Sequence, residues 1–373
     1  MRLSKTIARL SRARAGLQAP MAAPAADRFV DLGDFGADPG NLRARCYVPA
    51  KLKAPAALVV VLHGCTQSAA GYDEGAGWSR LADCHGFALL FPEQRRANNS
   101  HLCFNWFEPG DTRRGSGEAA SIAGMVERMA ALHPIDRGRI FVTGLSAGGA
   151  MASAMLATYP ELFAAGAIIA GLPYGCASNV VEAFGCMGGR EDADAARLGD
   201  RIRSASSHEG PWPRVSVWQG SADRTVAPDN ADAIVAQWLN VHALAAKPTA
   251  VGHLEAYPHA VWSGPDGRPA VEQVTVTGMA HGVPLAPGAG DGRSGEAGAH
   301  MLDVAISSTD RIAAFFGIAP AAVAVGGRAR KRNETGAAPR KRTASRKRAV
   351  RPEPASGVQK IIEDALRAAG LMR

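Results

Sequence analysis

The chain has 373 residues, 47% apolar and 20% charged, with a formal net charge of +8. That balance supplies enough apolar side chain to bury a core and excludes wholesale disorder, and because no stretch approaches about 18 consecutive strongly apolar residues, a membrane-spanning helix is excluded as well. The positive charge sits at the ends: residues 328–353 hold eleven Lys/Arg against two Asp/Glu and residues 1–20 hold five against none, so the body between them is net acidic.

Residues 1–27 run from spaced basic residues into an Ala/Pro stretch and lack the apolar core of a signal peptide. Arg43 to Val48 then reads as an antiparallel edge strand. Ala57–Leu62, Phe87–Phe91, Ile140–Thr143, Ala165–Ala170 and Arg214–Trp218 are short β-rich runs, several apolar throughout. Such runs fit a mostly parallel central sheet buried on both faces, with helices predicted near 119–132, 147–158, 229–241 and 308–316. Tyr257–Ser263 and Ala270–Thr277 flank a Gly-Pro-Asp-Gly turn and read as a hairpin. The alternation predicts an α/β fold, an open doubly wound sheet whose sites form at the carboxyl ends of strands.

Beyond residue 318 large apolar side chains nearly vanish, and residues 319–355 read as a disordered basic linker. Helical spacing returns in Val358, Ile361, Ile362, Leu366 and Ala369, with Ser356 and Gln359 as a capping box, so residues 356–373 read as a short amphipathic helix. The chain divides into 1–27 (basic, then Ala/Pro-rich), 28–318 (catalytic domain), 319–355 and 356–373. A charge run is most simply a solvated tail. The alternative here is weak contact with a polyanion or a granule surface.

The run Ile140–Thr143 leads directly into Gly144-Leu145-Ser146-Ala147-Gly148 and then a helical pattern. This is G-x-S-x-G in strand–turn–helix context, where small neighbours allow the sharp turn that exposes a nucleophilic hydroxyl. A serine needs a histidine base and a carboxylate to orient it, in the chain order Ser, acid, His. Asp223 follows the run Arg214–Trp218 where that acid would stand; Asp229 and Asp232 are rivals placed to serve a helix start instead. His281, in Gly-Met-Ala-His-Gly after the last strand, is the base, while His300 lies in a Gly-rich loop that could also approach the site.

The oxyanion donors are expected at Ala147 N–H, next to the serine, and in the loop His63-Gly64-Cys65-Thr66-Gln67, with Cys65 N–H preferred and Thr66 the alternative. His63 then shapes the loop. Trp106, Phe107, Tyr174 and Trp262 are candidate walls of an ester-binding cleft, Trp106 the best placed. This chemistry needs no cofactor and no metal. The six cysteines (46, 65, 84, 103, 176, 186) contain no C-x-x-C pair, and buried thiols compete with disulfides whose pairing stays open.

Leu62-His63-Gly64-Cys65-Thr66-Gln67, Cys103–Phe107, the elbow, Gly171–Cys176, Gly278–Leu285 and Ala305–Ile318, in that order, resemble the polyhydroxybutyrate (PHB) depolymerase family over most of residues 28–318. The resemblance implies an α/β-hydrolase fold, a serine esterase acting on short-chain polyhydroxyalkanoates or their oligomers, and Ser146, Asp223 and His281 as its triad. Related acetylxylan and feruloyl esterases supply the alternative substrate. Family members that attack solid polymer are typically secreted and carry a polymer-binding domain. Neither an export signal nor such a domain is evident in this sequence, which leaves the compartment, extracellular or cytoplasmic, open along with the oligomeric state.

Overall fold

The computed structural model describes residues 28–189, 194–288 and 293–320; the N-terminal segment, nearly all of the basic linker and the C-terminal helix expected from the sequence lie outside the described residues. One sheet is built from β1 (Val30–Asp31), β2 (Arg43–Tyr47), β3 (Ala56–Leu62), β4 (Ala88–Glu93), β5 (Ile135–Leu145), β6 (Ala165–Ile169), β7 (Arg214–Gly220), β8 (Ala250–Leu254), β9 (Tyr257–Ser263) and β10 (Pro269–Val276). Their spatial order is β1-β2-β4-β3-β5-β6-β7-β10-β9-β8. The central six run parallel, from β4 to β10, and both flanks are antiparallel. A two-stranded parallel ribbon, β11 (Val283–Leu285) with β12 (Met301–Asp303), lies apart.

Strand β3 explains why the sheet forms. All seven of its side chains are buried, and alternate ones enter different cores: Leu58, Val60 and Leu62 on one face, Ala57, Val59 and Val61 on the other. Full burial of a Val or Leu side chain stabilises by about 1.5–3 kcal/mol, so a run apolar on both faces is stable only between two helical layers.

The helices are α1 (Ala69–Ala76), α2 (Trp78–His85), α3 (Pro109–Thr112), α4 (Gly117–Leu132), α5 (Ala147–Thr158), α6 (Val180–Met187), α7 (Ala195–Arg203), α8 (Asp229–Val241) and α9 (Ser308–Phe316). Ile122 and Met125 of α4, Met151 and Met155 of α5 and Trp238 of α8 fill the first core. Tyr72 of α1, Trp78 of α2 and Phe316 of α9, which stacks on Phe141 of β5 at 4.6 Å, fill the second.

Two expectations change. The segment Arg43 to Val48 is antiparallel, as its pattern suggested, yet it is not the edge: Val30 and Asp31 pair outside it with Cys46 and Arg45. Helices α1 and α2 were not legible because each is eight residues long and Gly77, in the left-handed region at φ 80°, ends one and opens the other.

Candidate active site

At the carboxyl end of β5 the chain reverses into α5 through Ser146, held at φ 57° and ψ −118°. Its N–H donates to Ile169 O at 2.9 Å, and its own carbonyl accepts from Ala150 N–H at 2.8 Å. This is sparsely populated backbone for a residue with a Cβ, kept in place by its surroundings. The flanking glycines are required by close backbone approaches: a Cβ on Gly148 would come within 2.3 Å of Leu62 O in the neighbouring strand, and one on Gly144 within 2.4 Å of the Gly148 backbone and 2.8 Å of Leu62 O. The elbow is therefore pressed against the end of β3, which continues into the His63–Gln67 loop.

Asp223 follows β7 and His281 follows β10, both leaving the same sheet edge as Ser146. Hydrogen bonds from Ser221 N–H to Val276 O and from Ala222 N–H to Met279 O tie the two loops together. Nδ1 of His281 donates to Oδ2 of Asp223 at 2.7 Å, with both side chains largely buried. The carboxylate also accepts from Gln219 Nε2 at 3.2 Å and from the Thr225 and Val226 N–H groups at 2.8 and 2.9 Å. Asp223 is thus fixed on both oxygens. The rivals are occupied elsewhere: Asp229 and Asp232 stand in the first turn of α8, where Asp232 accepts from Gln273 Nε2 at 2.8 Å. His300 does approach: its ring lies 5.8 Å from that of His281, and its Nδ1 reaches His281 O at 3.2 Å.

In the loop after β3 the Cys65 and Thr66 N–H groups differ in their partners. Thr66 N–H donates to His101 O, Gly64 N–H to Gln67 Oε1 and Gln67 N–H to Gly64 O. Among the described residues Cys65 N–H has no acceptor, and Ala147 N–H, at the first position of α5, can have none within its helix. His63 shapes this loop from beneath: its buried ring donates from Nδ1 to Gly64 O and accepts Gln94 N–H on Nε2. Burial holds its pKa below the ordinary histidine value, in keeping with the neutral tautomer those two bonds require. Cys65 is disulfide-bonded to Cys103, a pairing that six cysteines in sequence left open.

Of the expected cleft walls, Trp106 packs on a small apolar cluster of Ala150, Leu172, Cys186 and Val226. Ala150 is one turn beyond Ser146 and Val226 three residues beyond Asp223, so this cluster borders the site. Leu172 and Val226 were missed, and their position just past strand ends was the available signal. Phe107 meets Trp106 edge-to-face at 5.4 Å. Tyr174 also follows β6 at this edge, but its ring packs on the main core and its backbone is clasped on both sides by the Gln237 amide.

Trp262 is a correction. It is 6% exposed, donates Nε1–H to Ala246 O at 3.0 Å, and pairs with Val271. Val271 lies five residues before the end of β10, about 16 Å from the site edge at strand rise, so Trp262 is core and not cleft.

A mostly parallel sheet covered by helices, with a strained serine at its carboxyl edge, is the α/β-hydrolase architecture. The structure superimposes on an acetyl xylan esterase from Aspergillus awamori with TM-score 0.67 and 26% identity, covering 78% of this chain and 99% of that one. Residues 44–254 match the family described as Esterase PHB depolymerase. The chain is 48% identical over 291 residues to poly(3-hydroxyalkanoate) depolymerase C of Paucimonas lemoignei, spanning 78% of this chain and 70% of that protein. It is 32% identical to an acetylxylan esterase of Coprinopsis cinerea, over 69% of this chain and 70% of that one. The chain belongs to the Esterase PHB depolymerase family and is a carboxylic ester hydrolase.

Proposed function

We propose that the protein hydrolyses esters of short-chain polyhydroxyalkanoates, polymer or oligomer, through Ser146, His281 and Asp223. Ser146 Oγ attacks the ester carbonyl while His281 Nε2 takes its proton. The tetrahedral oxyanion is held by Cys65 N–H and Ala147 N–H. The same imidazolium then protonates the departing alcohol, and water, activated by His281 in turn, releases the acid and restores Ser146. Asp223 keeps the proton on Nδ1 and stabilises the imidazolium. Trp106, with Leu172 and Val226, lines the acyl side of the cleft. The single observation that carries this reading is the 2.7 Å His281–Asp223 bond at the sheet edge that presents the Ser146 elbow.

Ser146→Ala is expected to lower turnover of a short p-nitrophenyl ester by several orders of magnitude with the fold intact; undiminished turnover would refute the assignment. The polyester substrate is favoured over acetylated sugars by 48% against 32% identity to the respective relatives. The match to nearly the whole of the Aspergillus awamori enzyme keeps the carbohydrate reading in play. Hydroxybutyrate oligomers compared with acetylated and feruloylated xylo-oligosaccharides separate the two by kcat/KM.

The same reading assigns residues 28–318 to catalysis and leaves the segments 1–27, 319–355 and 356–373 as appendages. Weak contact of residues 328–353 with a polyanion or granule surface is tested by deleting residues 328–373, which should abolish salt-sensitive retention and leave esterase activity unchanged.

A further inference from the structure

Glu118 is a buried acid that the proposed reaction does not use. It stands in the first turn of α4 and is 1% exposed. Its Oε1 accepts from the Gln94 side-chain amide, and its Oε2 from the Asn105 backbone N–H at 2.9 Å. Both donors belong to segments that adjoin the oxyanion loop.

Gln94 is the hub on one side. Its Nε2 also donates to Cys103 O at 3.0 Å, and its backbone N–H donates to His63 Nε2 at 3.1 Å. His63 in turn holds Gly64 O, one residue before Cys65. On the other side Asn105 is gripped three ways: backbone to Glu118, Nδ2 to Asp111 Oδ2 at 3.1 Å, and Oδ1 from Asn99 Nδ2 at 3.0 Å. Cys103, two residues earlier, carries the disulfide to Cys65. Two routes of short hydrogen-bonded steps therefore run from one carboxyl group to the two ends of the same disulfide.

We infer that Glu118 is a positioning residue for the oxyanion donor: by holding Gln94 and Asn105 at once, it fixes both segments joined by Cys65–Cys103 and so aims the Cys65 N–H. This deepens, and rests on, the reading of Cys65 N–H as an oxyanion donor. The chemistry requires an acid. Two N–H donors converge on two oxygens, and each oxygen of a carboxyl group, neutral or ionised, keeps a lone pair to accept one, whereas a glutamine would turn an NH2 group, which cannot accept, toward one of them. A buried acid is kept only where its bonds offset desolvation, and here burial with nearby Asp111 pushes the carboxyl up to about 8. A core leucine would avoid that cost but could not hold either donor.

The test uses the full chain with an oligomeric ester and a trifluoromethyl ketone as oxyanion-forming inhibitor. Glu118→Gln, which keeps the volume, is expected to lower kcat by about 10-fold and Glu118→Ala by about 100-fold, with KM within about twofold. Inhibitor affinity should weaken in parallel with kcat. Gln94→Met should reproduce the kcat-selective loss, and combining it with Glu118→Gln should add little, since both cut one route.

Complete fluorophosphonate labelling of Ser146 in the wild type shows that the underlying serine reading stands. Absence of that label would sink the reading itself. Labelled, folded Glu118→Gln protein with unchanged kcat, or with kcat and KM altered together while inhibitor affinity is unchanged, overturns the positioning role alone. Should Glu118→Ala fail to fold, Glu118→Gln and Gln94→Met carry the decision.

Discussion

The Nδ1–H of His281 donates to Oδ2 of Asp223 at 2.7 Å, and that bond leaves the imidazole lone pair on Nε2. An asparagine at 223 could still accept the Thr225 and Val226 N–H groups on one oxygen, so the loop should persist. Its amide would donate toward Nδ1 and favour the wrong tautomer. Asp223→Asn is therefore expected to lower kcat by about 10⁴-fold with little change in KM. Retention of a tenth or more of wild-type turnover would remove this carboxylate from the mechanism.

The Cys65–Cys103 disulfide closes a 38-residue separation and carries the proposed oxyanion donor at one end. Cross-links of this size typically contribute about 2–4 kcal/mol by restricting the unfolded chain. Cys103→Ser is expected to lower the denaturation midpoint accordingly. It should also reduce kcat by about 10-fold, because the Cys65 N–H loses one of its anchors. A variant that loses stability but keeps full kcat would show that the loop is held without the bridge.

Much of this arrangement was legible in the sequence, for identifiable reasons. The strands β3 and β6 are apolar on both faces, and the helices at 147–158, 229–241 and 308–316 fall where the sequence placed them. Ser146, Asp223 and His281 could be ordered along the chain because each follows a strand, and strand ends converge at one edge of a parallel sheet. What the sequence could not express is lateral. The pairing of Cys65 with Cys103, the removal of Thr66 N–H by His101 O, and the meeting of Gln94 and Asn105 on Glu118 join loops distant in sequence or out of pattern. Trp262 failed for the complementary reason. An aromatic residue in a strand carries no mark of which end of the sheet it occupies, and register with Val271 puts it at the far one.

Two buried groups give stability a pH dependence at both extremes. The Glu118 carboxyl, ordinarily near 4.5, is raised to about 8, chiefly by desolvation. Its contribution is thus complete below about pH 4.5 and is lost as pH rises through about 8. His63 is shifted down by burial, so its contribution is present above the ordinary histidine range and is lost as pH falls below it. Urea midpoints measured from about pH 4 to about pH 9 should fall at both ends. In Glu118→Gln the alkaline fall should flatten while the acid fall remains. An unchanged alkaline limb in that variant would place the titrating group elsewhere.

Gly148 tests the strained elbow directly. The Cβ of an alanine there would stand 2.3 Å from Leu62 O and 2.5 Å from His63 O, both backbone atoms of the segment that carries the oxyanion loop. Neither can yield like the end of a flexible side chain, so the strand and the elbow must separate. Overpacking of this kind costs about 1–3 kcal/mol, and here it also moves Ser146 relative to the Cys65 N–H. Gly148→Ala is expected to lower stability by about that amount and kcat by at least about 100-fold. Gly185→Ala, where a Cβ meets nothing within 4 Å, is the matched control and should leave kcat unchanged. Equal behaviour of the two variants would mean that the elbow is not held against β3 during catalysis.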